Sequence, residues 1–136
     1  MELLSVLILA GGKSVRMGQD KATLSLNNVP LLTRTCRIGQ DIAKDISVLS
    51  STPAAYAKLL PAGVKNMRDA QSGRGPLWAL HQGLDQCQTQ WLLLLACDLP
   101  YLDRDRICQW RSHLTALPSE CLAYVPRSLD ETSDDT

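Results

Sequence analysis

A chain of 136 residues, 45% of them hydrophobic, can bury one core but has no room for two ordinary domains. Its 14 basic and 14 acidic residues cancel, so no net field recruits nucleic acid or an anionic membrane, and any phosphate-binding charge has to be local. The longest apolar run, Trp91 to Cys97, is too short to span a bilayer, and the first ten residues carry neither a basic n-region nor a cleavage site, so the cytoplasm is the expected compartment.

In chain order, Leu3 to Ala10 is a nearly unbroken run of Leu, Val and Ile, the pattern of a strand covered on both faces, and it stops at Gly11-Gly12. Pro30 to about Ala43 has helical spacing with Pro30 in the first turn, and Ile46 to Leu49 reads as a short strand. Pro53 to Leu60 predicts a second helix ended by Gly63, Val64 to Met67 another strand, and Asp69 to Gly75 a polar loop. A third helix follows Pro76, with Leu77, Leu80, His81 and Leu84 on one face. Trp91 to Cys97 is the strongest strand, with Asp98 just beyond it, and Asp103 caps a helix running to about Leu114. Cys121 to Val125 is a weaker strand candidate. Ser128 to Thr136 holds four acidic residues and no apolar periodicity, so the reading is a domain over 1–127 and a mobile polar tail over 128–136. Alternating strands and helices predict an α/β fold with a doubly wound, mostly parallel sheet, whose ligands bind beyond the carboxyl ends of the strands.

Five cysteines, Cys36, Cys87, Cys97, Cys108 and Cys121, form no C-x-x-C pair and fit reduced thiols. His81 and His113, 32 positions apart, offer no metal-ligand spacing.

The chemistry concentrates after the first strand. Gly11, Gly12, Lys13, Ser14, Arg16 and Gly18 form a loop whose backbone amides, free of side-chain bulk, can approach a nucleotide, and Lys13, Arg16 and Lys21 add local positive charge. Gly12-Lys13-Ser14 imitates the end of a Walker A loop, but Leu7 stands where that loop needs its first glycine. The dinucleotide fingerprint fails too, because Gly11 and Gly12 are adjacent. A tight turn is the plain alternative for two glycines after a strand.

Leu9-Ala10-Gly11-Gly12-Lys13-Ser14, Arg16-Met17-Gly18, Asp20-Lys21 and Pro30-Leu31-Leu32, followed by Asp69, Gly75-Pro76-Leu77 and Cys97-Asp98-Leu99-Pro100, together resemble the signature of molybdenum cofactor guanylyltransferases. The resemblance covers about Leu4 to Leu102, and the Gly11-Gly12 pair looks like the guanine version of the motif, since related cytidylyltransferases usually carry Ala at the position of Gly12. It implies a Rossmann-like nucleotidyltransferase fold lacking the usual C-terminal part, and transfer of GMP from GTP to molybdopterin or its molybdenum-loaded form with release of pyrophosphate. Mg2+ is the implied cofactor, with Asp98 as its ligand and Lys21 on the phosphates. Leu9, Ala10, Gly11, Gly12, Lys13 and Arg16 would line the nucleotide, and Asp69 matches a nucleotide-contacting aspartate. Ser50 stands near the place of a family asparagine, and Asp20 is expected to support the loop carrying Lys21. Helix caps, turns and solvated surface are the competing roles for these charged residues. A monomer or weak homo-oligomer is expected. A non-catalytic GTP-binding domain, or a guanylyltransferase for another acceptor such as a cobinamide phosphate, remain the alternatives.

Overall fold

The computed structural model describes residues 2–11, 20–71 and 73–125. Gly12, Lys13 and Arg16, and the tail expected over 128–136, lie outside them. Strand β1 (Leu4–Leu9) is followed by a short hairpin, β2 (Ser25–Leu26) and β3 (Val29–Pro30), then helix α1 (Leu31–Ile42) and strand β4 (Asp45–Ser50). Helix α2 (Pro53–Tyr56) with a 3-10 turn at Ala57–Leu59, strand β5 (Lys65–Arg68), helix α3 (Pro76–Gln86), strand β6 (Trp91–Ala96) and helix α4 (Arg104–Ser112) complete the order, with a last 3-10 turn at Leu114–Ala116.

Four strands form one sheet in the order β5-β4-β1-β6, every pair parallel, as the alternating pattern predicts. The pleat sends successive side chains to opposite faces. Leu4, Val6 and Ile8 of β1 pack with Leu32 and Cys36 of α1 and with Ile46 and Val48 of β4, all at most 2% exposed. Leu7 joins Leu49 and Ala79 on the other face, beneath α3. The chain thus places α1 and α4 on one side of the sheet and α3 on the other.

The apolar face expected of α3 does not meet the sheet. Leu77 is 78% exposed and Leu84 54%, while Ala79 and Gly83, four residues apart, are the buried positions. The reason is steric. A Cβ added at Gly83 would lie 2.5 Å from Leu7 Cδ2, so the helix sits too close for a larger side chain, and its leucines turn outward. They line an apolar groove of about 550 Å³ with Arg74, Trp78, Leu80 and His81, where the Arg74 guanidinium lies 4.9 Å over the Trp78 ring.

Other boundaries differ from the sequence reading. The hairpin was not expected, although Asn27 and Asn28, at φ 52° and 66°, are residues that tolerate a left-handed two-residue turn. Pro30 precedes α1 as its cap instead of entering its first turn. The helical stretch after β4 ends at Leu59, before Pro61, and Gly63 belongs to the following turn, closed by the Val64 amide on the Pro61 carbonyl. Cys121 to Val125 forms no strand. Tyr124 instead stacks on Trp110 of α4, with ring centroids 5.7 Å apart, which anchors this stretch by one side chain in place of a hydrogen-bonded ladder. Asp103 caps α4 as expected, its Oδ1 accepting from the Asp105 and Arg106 amides. All five cysteines are free thiols.

Candidate nucleotide site

The chain leaves β1 for β4 and β5 on one side and then returns to β6 on the other. The crevice between β1 and β6 is therefore the switch point of the sheet, where divergent loops leave room for a ligand. Hydrogen bonds extend the ladder one step past the strand ends. The Ala10 amide donates to Leu49 O (3.0 Å), the Cys97 amide to Leu9 O (3.2 Å) and the Asp69 amide to Ser50 O (2.7 Å). Leu9, Ala10, Gly11, Ser50, Asp69 and Asp98 consequently share one edge of the sheet.

Gly11 has φ +82°, a backbone that favours glycine, and a Cβ there would come within 3.2 Å of Tyr56 Oη. After the loop, Asp20 caps a 3-10 turn over Lys21–Thr23, its Oδ1 accepting from the Ala22 amide at 3.1 Å. Asp20 Oδ2 accepts from Tyr56 Oη at 2.5 Å. Asp20 thus supports the Lys21 turn, as its sequence context predicts. Burial, followed by the hydrogen bond to Asp20, pushes the Tyr56 phenol above its ordinary range, so it stays protonated and donates.

Lys21 and Asp98, 77 positions apart by their numbering, meet at this edge, with Nζ 3.6 Å from Oδ2 and side chains 50% and 38% exposed. That is charge attraction across an open crevice, looser than a hydrogen bond, and both groups keep solvent-facing surface. Among the described residues no cluster of three His, Cys, Asp or Glu forms a ready-made metal cage. Magnesium does not need one, since it is commonly held by one or two carboxylates alongside substrate phosphates and waters, and Asp98 supplies an oxygen ligand of that kind.

Two residues outside the motifs shape the edge. Arg34 of α1 reaches the loop after Asp98 and donates to Leu102 O (2.7 Å) and Leu99 O (3.4 Å). Gln82 of α3 holds the loop after β5, donating to Arg68 O (3.0 Å) and accepting from the Ala70 amide (3.2 Å). Neither had a sequence signal, because their partners are backbone groups of distant loops. Tyr56 was missed because its partner, the Asp20 carboxylate, lies 36 positions away in the chain.

Asp69 and Ser50 stand apart from the Lys21–Asp98 pair. β5 is three strands from β6, which at about 4.8 Å per strand separates the ends carrying Asp69 and Asp98 by roughly 14 Å, too far to share one metal ion. Asp69 Oδ1 accepts from the Gln71 amide at 2.9 Å, the turn role weighed for it. Ser50 is 3% exposed and its hydroxyl has no hydrogen-bond partner among the described residues. Next to the pair, Cys97 is buried and its thiol is pushed up to about 11 by burial first and by Asp98 second. Burial likewise lifts the Cys36 thiol to about 12. Both are neutral packing groups at pH 7, not nucleophiles.

A parallel α/β sheet with a glycine-rich sequence after its first strand, and a lysine meeting an aspartate at its switch point, is an arrangement suited to nucleotides. The MobA-like NTP transferase domain matches residues 6–133, and the chain belongs to that family. It is 44% identical over 126 residues to a protein of Synechococcus elongatus named a probable molybdenum cofactor guanylyltransferase, covering 91% of this chain and 65% of that one. A similarly named protein of Nostoc is 39% identical over 126 residues, covering 93% and 60%. The chain thus spans 60–65% of the length of these curated relatives. Among solved structures, Rv0371c of Mycobacterium tuberculosis shares the fold at a TM-score of 0.64 with 18% identity, over 84% of this chain and 61% of that one. A complex of Rv0371c with manganese gives 0.61 and 14%, over 85% and 61%.

Proposed function

We propose that this chain is the nucleotide-binding part of a molybdenum cofactor guanylyltransferase, moving GMP from GTP to the phosphate of molybdopterin or its molybdenum-loaded form and releasing pyrophosphate. The observation that carries the reading is the approach of Lys21 to Asp98 beside Gly11 at the switch point, which unites a cation, a carboxylate and exposed backbone at one crevice. The names of its relatives at 39–44% identity support the acceptor.

The acceptor phosphate is already an anion at neutral pH. Its oxygen attacks the α-phosphorus of GTP, the bond to the bridging oxygen of the β-phosphate breaks, and pyrophosphate leaves with that electron pair. No side chain has to remove a proton, so alignment and charge neutralisation are the work required. Lys21, with Lys13 and Arg16, neutralises the triphosphate, while Leu9, Ala10, Gly11 and Gly12 present backbone to the nucleotide. Asp98 would hold a divalent cation, Mg2+ in this reading, which when bound offsets phosphate charge and polarises the reacting phosphorus. The manganese complex of a protein with the same fold supports a divalent ion. In this reading Asp69 and Ser50, strands away from Asp98, serve the base or ribose end.

Free thiols and balanced charge fit a cytoplasmic monomer or weak oligomer. Calorimetric titration of the chain with GTP, CTP and ATP, each with magnesium, tests the nucleotide, and selective GTP binding is the expected result. Pyrophosphate release from GTP only when molybdopterin is added then tests the acceptor. Binding without turnover would identify a GTP-binding domain, and failure to bind any of the three would overturn the proposal.

A further inference from the structure

The Tyr56 hydroxyl stands where three parts of the site meet. It donates to Asp20 Oδ2 at 2.5 Å, while a Cβ at Gly11 would fall 3.2 Å from it. Tyr56 itself belongs to the helix that follows β4, the strand ending at Ser50. The ring is 2% exposed, so its position is set by packing and not by solvent. Asp20 carries that position onward. Its second oxygen accepts from the Ala22 amide, its carbonyl accepts from the Thr23 amide (3.1 Å) and hydroxyl (2.8 Å), and Ala22 is fully buried. Lys21 lies between these two pinned residues, so its backbone has little freedom, and its ammonium reaches Asp98.

From this geometry we infer that Tyr56 is a positioning residue for triphosphate binding, acting through Asp20 to hold Lys21 in the crevice and joining the helix after β4 to the Lys21 turn. It also answers an electrostatic problem. Asp20 places a negative charge next to the turn that would face a triphosphate, and donors on both its oxygens draw that charge away from the anion. A phenol suits this task because it stays protonated and brings no charge of its own. The inference rests on the proposed GTP site and deepens it by adding a residue that does not touch the nucleotide.

The test is calorimetric titration of the full chain with GTP and with guanosine, for wild type, Tyr56→Phe, Lys21→Ala and the double variant. Tyr56→Phe keeps the ring and removes only the hydroxyl. Loss of a hydrogen bond to a charged group should weaken GTP roughly tenfold while guanosine changes less than about twofold. Because both residues act on the same phosphates, the double variant should bind GTP no more than about twofold more weakly than Lys21→Ala alone. Equal losses for GTP and guanosine, or additive losses in the double variant, would overturn the inference in favour of a purely structural tyrosine. If circular dichroism shows Tyr56→Phe unfolded, Asp20→Glu takes its place under the same criteria, since it keeps the charge but moves the carboxylate away from the Tyr56 hydroxyl and the Ala22 amide. Wild type that binds no GTP defeats the proposed function itself, whereas wild type that binds GTP and a Tyr56→Phe protein that matches it defeat only the role of Tyr56.

Discussion

The two flanks of the sheet are built differently. On the β1–β4–α1 side, Ile8, Leu32, Cys36 and Val48 are fully buried, and the stripe of α1 from Leu31 to Ile42 fits tightly enough that a Cβ at Gly39 would lie 3.2 Å from Ile46 Cδ1. On the β6 side, Leu92, Leu93 and Leu94 are only half-buried, α4 contributes no fully buried residue, and α3 approaches through Ala79 and Gly83. Gly11, Lys21 and Ser50 belong to the first flank and Asp98 to the second. In the proposed reading the nucleotide would lie between a densely packed wall and a thinner one, with the carboxylate on the thinner side. Arg34, rooted in the rigid flank, ties the two together through the Leu99 and Leu102 carbonyls.

Substitutions on either side of the crevice can break this contrast. The largest effect is expected from Asp98→Ala, which should lower magnesium-dependent transfer on the order of 10³-fold while circular dichroism stays unchanged, because the half-exposed side chain carries little packing. Unaltered turnover would remove Asp98 from the reaction. Next, Leu32→Ala should cost about 2–5 kcal/mol in denaturant unfolding, whereas Leu84→Ala on the outer face of α3 should stay within about 0.5 kcal/mol. Similar losses at both would mean the flanks do not differ in the way their burial implies.

Arg34→Gln sharpens the comparison by cutting the tie between them. Turnover should fall roughly 10-fold to 100-fold, as is usual for groups that orient a metal-binding side chain, with GTP affinity nearly constant. A loss of GTP affinity equal to the loss of turnover would instead place Arg34 in nucleotide binding. The smallest effect concerns acid. Asp45 at the start of β4 accepts from Lys65 Nζ at 2.7 Å and from Ser5, and those bonds hold its carboxyl below its ordinary 3.8 despite partial burial. A depressed carboxyl stabilises the fold above its unfolded value, and that stabilisation is lost as pH falls through the lower folded value. Asp45→Asn should therefore be less stable than wild type by under about 1 kcal/mol at pH 7, Lys65 being well exposed, and the two should converge below about pH 4. Denaturant midpoints at pH 7, 5 and 3 measure it, and a constant gap would contradict the assignment.

The sequence by itself determined the four strands of the parallel sheet and their order along the chain, because continuous apolar runs such as Leu4–Leu9 and Trp91–Ala96 have no other way to be buried. It determined neither the hairpin nor the absence of a strand at Cys121–Val125. Its resemblance to the family also singled out Gly11, Lys21, Asp69 and Asp98. Only the tertiary structure decided which of them meet. Lys21 and Asp98 converge because β1 lies beside β6, and Asp69 is kept from them by the two strands between. The roles of Tyr56, Arg34 and Gln82, and the outward turn of the α3 leucines, depend on distances between segments far apart in the chain. Such distances follow from how closely helices and sheet pack, down to the single methyl group that Gly83 lacks, and no local pattern records them.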